Sequence, residues 1–156
     1  MERHGPGMAP DRRRVIIWCC ECLANVEARL TSGAEVYPAR RDLGELPFWK
    51  CDGCGNHVGC HHRHHDRSLR TRPLGTIAGP EMKKARQHIH RRLDPLWKEG
   101  HIRRKVLYGR LSGILGRGYH TADLRTLYEA GNIFRAITRI QAEIGLPPET
   151  VPAPDA

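Results

Sequence analysis

Two short words decide how this chain is read: Trp18-Cys-Cys-Glu-Cys22-Leu23 and Trp49-Lys-Cys51-Asp-Gly-Cys54-Gly55. Each contains a Cys-x-x-Cys turn, Cys19 with Cys22 and Cys51 with Cys54. Two such turns supply the four thiolates that a tetrahedral structural zinc site takes. The 28 residues between them are enough for a hairpin that returns one turn to the other. Gly53 and Gly55 allow the left-handed backbone and close amide approach that such a turn needs. The first turn lacks this help, because Leu23 stands where the second has Gly55. Metal binding of this kind supplies on the order of 10 kcal/mol of folding energy, so the metal-free module is expected to be largely unfolded.

Outward from the pairs, Ala24, Val26, Ala28 and Leu30 alternate with Asn25, Glu27 and Arg29, a period-two strand pattern. Thr31-Ser32-Gly33 reads as a turn, Ala34 to Tyr37 as a returning strand, and Phe48-Trp49-Lys50 as a short strand entering the second pair. After Pro73 the period changes. Pro80 suits a first helical position, and Met82, Ala85, Ile89, Leu93 and Leu96 recur at steps of three and four. Asp94-Pro95 is expected to break and restart that helix. Ile102, Val106, Leu111, Ile114 and Leu115 give a second stripe ended by Gly116. Thr121 is the expected cap of a third helix carrying Leu124, Leu127 and Tyr128. The pattern continues through Phe134, Ile137, Ile140 and Ile144 to Gly145, with a break at Gly131-Asn132.

The expected architecture is therefore α+β, a small four-Cys zinc-ribbon-like β module followed by a helical C-terminal half. Its parts are a disordered basic arm (1–14), the zinc-ribbon-like module (15–66), a helical region packed on it (67–146) and a disordered proline-rich tail (147–156). Only 39% of the 156 residues are apolar and 6% aromatic, so the core is lean and a metal staple helps it. No segment reaches the ~20 apolar residues of a membrane span, and Val15-Ile16-Ile17-Trp18 is too short for a signal-peptide core. The expected address is cytoplasmic, where six cysteines are better explained by metal than by disulfides.

The remaining chemistry lies in cysteines, histidines and cations. Cys20 is read as a spare beside the better-spaced Cys19, and Cys60 as a buried thiol. The run Cys60-His61-His62-Arg63-His64-His65-Asp66 invites a second metal or a nuclease site, but no set of carboxylates to hold a catalytic Mg²⁺ accompanies it. The formal charge is +9, and residues 80–110 hold ten Lys/Arg against three Asp/Glu. Lys83, Lys84, Arg86, Arg91, Arg92, Arg103, Arg104 and Lys105 are thus the candidates for nucleic-acid contact, mostly to phosphates. The Arg12–Arg14 arm is expected to join them.

The words CDGCGNHVGCH (51–61), RPLGTIA (72–78) and HRRLDPLWK (90–98) together resemble a family of small zinc-finger-containing domains, frequent in phage and prophage genes and without an established activity. The resemblance covers roughly residues 16–130. It implies a first Cys-x-x-Cys pair filled by Cys19 and Cys22 and a second filled by Cys51 and Cys54, with Pro73–Thr76 and Asp94–Trp97 as structural corners. Cys20 inside the first pair, the missing Gly after Cys22 and the His/Arg loop at 61–67 depart from the family pattern. The expectation is a non-enzymatic Zn²⁺ protein that binds DNA or RNA through its basic helical face. A protein-interaction adaptor meeting an acidic partner is the alternative, and a metal-dependent nuclease using His61–His65 ranks last.

Overall fold

The computed structural model describes residues 13–147. Residues 1–12 of the expected basic arm and 148–156 of the expected tail lie outside the described residues. The chain is α+β and divides into two compact units after Gly79.

The first unit is a four-stranded antiparallel sheet in the order β1-β2-β3-β4, formed by Arg14–Cys19, Ala24–Ser32, Pro47–Lys50 and His57–Gly59. Strand β2 follows its alternation: Ala28 and Leu30 are buried while Asn25 and Glu27 are exposed. Its partners are β1, with Ile17 opposite Val26, and β3, with Leu30 opposite Trp49. One layer of Ile17, Cys19, Ala28, Leu30, Trp49, Cys51, Cys60 and Ile77 forms the core, so three of its eight residues are cysteines.

Two expectations fail here for local reasons. Residues Gly33–Val36 form a single helical turn, α1, rather than a returning strand. Gly33 N donates to Leu46 O and Ala34 N to Gly44 O, which folds this turn onto the loop and leaves the edge of β2 for β3. Residues 67–79, expected with the helices, belong to the first unit. Ile77 N donates to Trp18 O and accepts, through its own carbonyl, from Cys20 N, so this segment extends the edge of the sheet at the first cysteine turn.

The second unit holds α2 (Pro80–Lys98), α3 (Arg104–Leu115) and α4 (Leu127–Glu143). Helix α2 does not break at Asp94-Pro95. Leu93 and Leu96, on either side of the proline, are both buried, and the Asp94 carboxylate faces His90 Nδ1 at 3.2 Å and accepts from Lys98 Nζ at 3.3 Å. Packing and these two side-chain links hold the helix across the missing amide. Helix α3 turns a different face inward than expected: Leu107 and Leu111 are buried, while Val106 and Ile114 are half exposed. Gly116 closes it at φ 78°, donating its N–H to Ser112 O. Thr121 begins only a short 3₁₀ turn; the cap of α4 is Thr126, whose Oγ1 accepts from Glu129 N. The helix then runs unbroken through Gly131. No helix among the described residues is long and apolar enough to cross a membrane.

The glycines separate strain from waste. A Cβ on Gly33 would lie 1.8 Å from the Leu43 carbonyl oxygen, whereas one on Gly113, inside α3, meets nothing within 4 Å. Gly33→Ala is therefore expected to lower stability by about 2 kcal/mol or more, and Gly113→Ala to raise it by roughly 0.5–1 kcal/mol. Calorimetric unfolding of the two metal-loaded variants checks both signs.

Candidate metal centre and cationic helix face

The four cysteines of the two turns meet. Cys19 Sγ lies 3.5 Å from Cys54 Sγ, Cys22 Sγ lies 3.8 Å from Cys51 Sγ, and all four sulfurs fall within 4.8 Å of one another. A tetrahedral ion with bonds of about 2.3 Å requires sulfurs about 3.8 Å apart, so the spacing and the all-thiolate donor set fit a structural zinc ion. Sheet pairing brings the turns together: Cys19 ends β1, Cys22 precedes β2, Cys51 directly follows β3 and Cys54 precedes β4. Burial pushes the Cys19 thiol up to about 12. A dication, when bound, displaces these protons and cross-links the turns.

The two turns share a positive φ at the residue after their second cysteine although their sequences differ. Gly55 has φ 81° and Leu23, at the equivalent place, has φ 52°, the one non-glycine residue among those described with positive φ. Leucine thus occupies a backbone region that costs an L-residue about 1–2 kcal/mol, and its side chain is 62% exposed. In the second turn Gly55 N donates to Cys51 O at 2.8 Å, and Cys51 N to Asn56 O at 2.8 Å. The Asn56 amide also donates to Cys54 Sγ at 3.2 Å. Sequence reasoning missed this residue; its place two positions after the last ligand, beyond the turn glycine, was the available signal. On the outside of the turn, Asp52 accepts from Arg29 Nε and Nη2, each at 2.9 Å, fastening the turn to β2. Arg29 also grips Glu35, whose carboxyl it holds down at about 2.

The other candidates stand apart. Cys20 Sγ contacts Thr76 Oγ1 at 3.4 Å, away from the cluster. Cys60 is buried in the sheet core, and that burial pushes its thiol up to about 11. The histidine loop does not converge: His64 and His65 stack with ring centroids 4.4 Å apart, His62 Nδ1 faces Cys60 O, and Asp66 caps its own turn through Ser68. Among the described residues, the four cysteines are the group placed to hold a metal ion.

Of the eight candidate cations, Lys83, Lys84, Arg91, Arg103, Arg104 and Lys105 are exposed. Arg86 and Arg92 are engaged within the helical unit. Arg86 donates to Leu124 O, while Arg92 donates to Thr138 Oγ1 and lies 4.8 Å from the Phe134 ring centre. From the expected arm, Arg14 opens β1 and faces Asp52 at 3.9 Å.

A family model described as a zinc-finger-containing domain matches residues 15–142. The match spans most of the chain, which therefore belongs to that family. No curated protein and no solved structure matches the chain.

Native mass spectrometry is expected to find one zinc per chain, retained in Cys20→Ser and Cys60→Ala and lost on substitution of Cys19, Cys22, Cys51 or Cys54 by Ser. Asn56→Ala should keep the stoichiometry and weaken zinc affinity about tenfold in a chelator competition. For the first turn, Leu23→Gly should change stability by no more than about 1 kcal/mol, as relieved strain offsets added chain entropy. Leu23→Val, β-branched where φ is positive, should lose about 1–2 kcal/mol in thermal unfolding.

Proposed function

We propose that this member of the zinc-finger-containing family uses one structural zinc ion, held by Cys19, Cys22, Cys51 and Cys54, to fix its sheet unit, and binds nucleic acid through its helical unit. The protein is read as a binding module without catalysis. The observation that carries the second half is a line of exposed cations on α2. Lys84, Arg91 and Lys98 are all exposed and follow one another at intervals of seven residues. An α-helix returns to within about 20° of the same face in that interval and advances about 10 Å. The three side chains thus share one face opposite the buried stripe of Met82, Ile89, Leu93 and Leu96. Lys83 borders this line, and Arg103, Arg104 and Lys105 continue the charge into α3.

The sign of that face favours a polyanion. Residues 80–110 carry a surplus of seven positive charges in a chain whose total is nine. An ordinary solvated helix interleaves acids with its cations; here Lys98 pairs with Asp94, while among the described residues no carboxylate pairs with Lys84 or Arg91. Contacts of this kind go to phosphates and discriminate little among sequences.

The zinc-loaded chain is expected to bind 20-mer DNA and RNA at 50 mM salt, with affinity falling steeply as salt rises. Replacing Lys84, Arg91 and Lys98 by Gln should flatten the plot of log affinity against log salt by roughly one unit per contact removed. Absence of binding at 50 mM salt refutes the reading. Capture of an acidic protein that persists after nuclease treatment, with no affinity for the oligonucleotides, would replace it with the adaptor reading.

A further inference from the structure

We propose that Arg104, whose guanidinium lies over the rings of Trp97 and Tyr108, is the point at which the helical unit grips a backbone phosphodiester. Arg103, Lys105 and Lys98 are its supporting cations. This rests on the nucleic-acid reading above and specifies where along the basic face the anion is held.

The guanidinium carbon of Arg104 lies 4.1 Å from the centre of the Tyr108 ring and 5.3 Å from that of Trp97. Lys98 Nζ stands 5.4 Å from the same indole. Tyr108 in turn meets Tyr119 edge-on, with centroids 5.5 Å apart. Tyr119 is buried, and its hydroxyl is hydrogen-bonded to Thr121 Oγ1 at 2.7 Å. A long, mobile side chain is thereby backed by a series of rings anchored in the core of its own unit. Arg104 is nevertheless exposed. Stacking occupies the faces of a guanidinium, while its N–H groups lie in the plane and suit the paired oxygens of a phosphate.

The surroundings point to an anion. Among the described residues, no carboxylate pairs with Arg103, Arg104 or Lys105. Glu99, the nearest acid in sequence, faces His101 at 3.3 Å, and Asp94 is engaged with His90 and Lys98. Arg104 and Lys105 open α3, Arg103 precedes it without a side-chain cap, and the first turn contains no acid. Helix starts carry partial positive charge and ordinarily gather acids. Three cations are gathered here instead, next to Lys98 at the end of α2. A phosphodiester would balance this charge, and the ring-held fork gives it a defined seat rather than a diffuse atmosphere.

The test compares charge with placement in the full zinc-loaded chain. Fluorescence anisotropy with labelled single-stranded and duplex 20-mers of DNA and RNA gives affinity and salt slope, and the two polymers identify which supplies the phosphate. Arg104→Lys keeps the charge and loses the fork; Tyr108→Leu keeps every charge and loses a backing ring. Each is expected to weaken binding about tenfold with the salt slope unchanged. Removing two charges at the grip, Arg103→Gln with Lys105→Gln, should cost several times more affinity than removing two elsewhere, Lys83→Gln with Lys84→Gln. This second comparison decides the matter if Arg104→Lys or Tyr108→Leu fails to fold, as judged by melting and zinc content. Wild-type binding that Arg104→Lys leaves within about twofold, or equal losses in the two double variants, overturns the grip while leaving nucleic-acid binding in place. A wild-type protein that binds none of the oligonucleotides removes both.

Discussion

The sheet unit depends on four sulfurs occupying one small volume. Its core is a single layer of eight residues, three of them cysteines, which is little apolar mass for a unit of this length. Two of those cysteines, Cys19 and Cys51, also belong to the metal cluster. Packing and ligation are therefore the same event: the sulfurs come within bonding distance of one ion only when β1, β2 and β3 are paired in register. An ion held by the four thiolates would in turn forbid those strands from slipping. Even the edge segment ending at Ile77 attaches beside the first turn, through backbone bonds to Trp18 and Cys20.

The tolerance of this arrangement is visible in Leu23. A glycine is the ordinary solution where a turn needs positive φ, and the second turn uses one at Gly55. The first turn reaches the same backbone region with leucine. Four thiolates bound to a dication can hold a local distortion of 1–2 kcal/mol without difficulty, because ligation supplies several times that amount. Coordination of one ion by these four thiolates would set the backbone here, with residue preference yielding to it.

What the sequence made legible follows from this hierarchy. Cys19, Cys22, Cys51 and Cys54 were readable because metal coordination leaves a fixed spacing in the chain, and β2 because one of its faces is wet. Strand β1 was not, since Val15-Ile16-Ile17-Trp18 is a continuous apolar run with no alternation to mark a face. The residues after Gly33 have strand-like composition, but Gly33 is pressed against the Leu43 carbonyl, a tertiary constraint that local pattern does not contain. The start of α4 was legible and misplaced: Thr126-Leu-Tyr-Glu129 has the spacing of a capping box, and Thr121 drew attention away from it. Pro95 misled in the opposite direction, because proline predicts a break whose cost of about 3 kcal/mol the burial of Leu93 and Leu96 can offset.

Charge counting has the same limit. Arg86, Arg92 and Arg104 are alike in composition and differ in what surrounds them. The first two reach across their own unit, to Leu124 and to Thr138 with Phe134, so they contribute to holding the helices together. Arg104 is also held by aromatic rings, yet it is exposed and has no carboxylate partner among the described residues. A cation is useful for recognition when it is both presented and immobilised, since the conformational entropy of a long side chain is otherwise lost on binding. By that criterion the surplus of seven overstates the proposed binding face at Arg86 and Arg92 and understates the value of Arg104. Lys84, Arg91 and Lys98 supply field along α2, and the ring-held guanidinium at the start of α3 supplies geometry. In the proposed binding mode, field brings a polyanion near, and geometry gives its phosphate a preferred place.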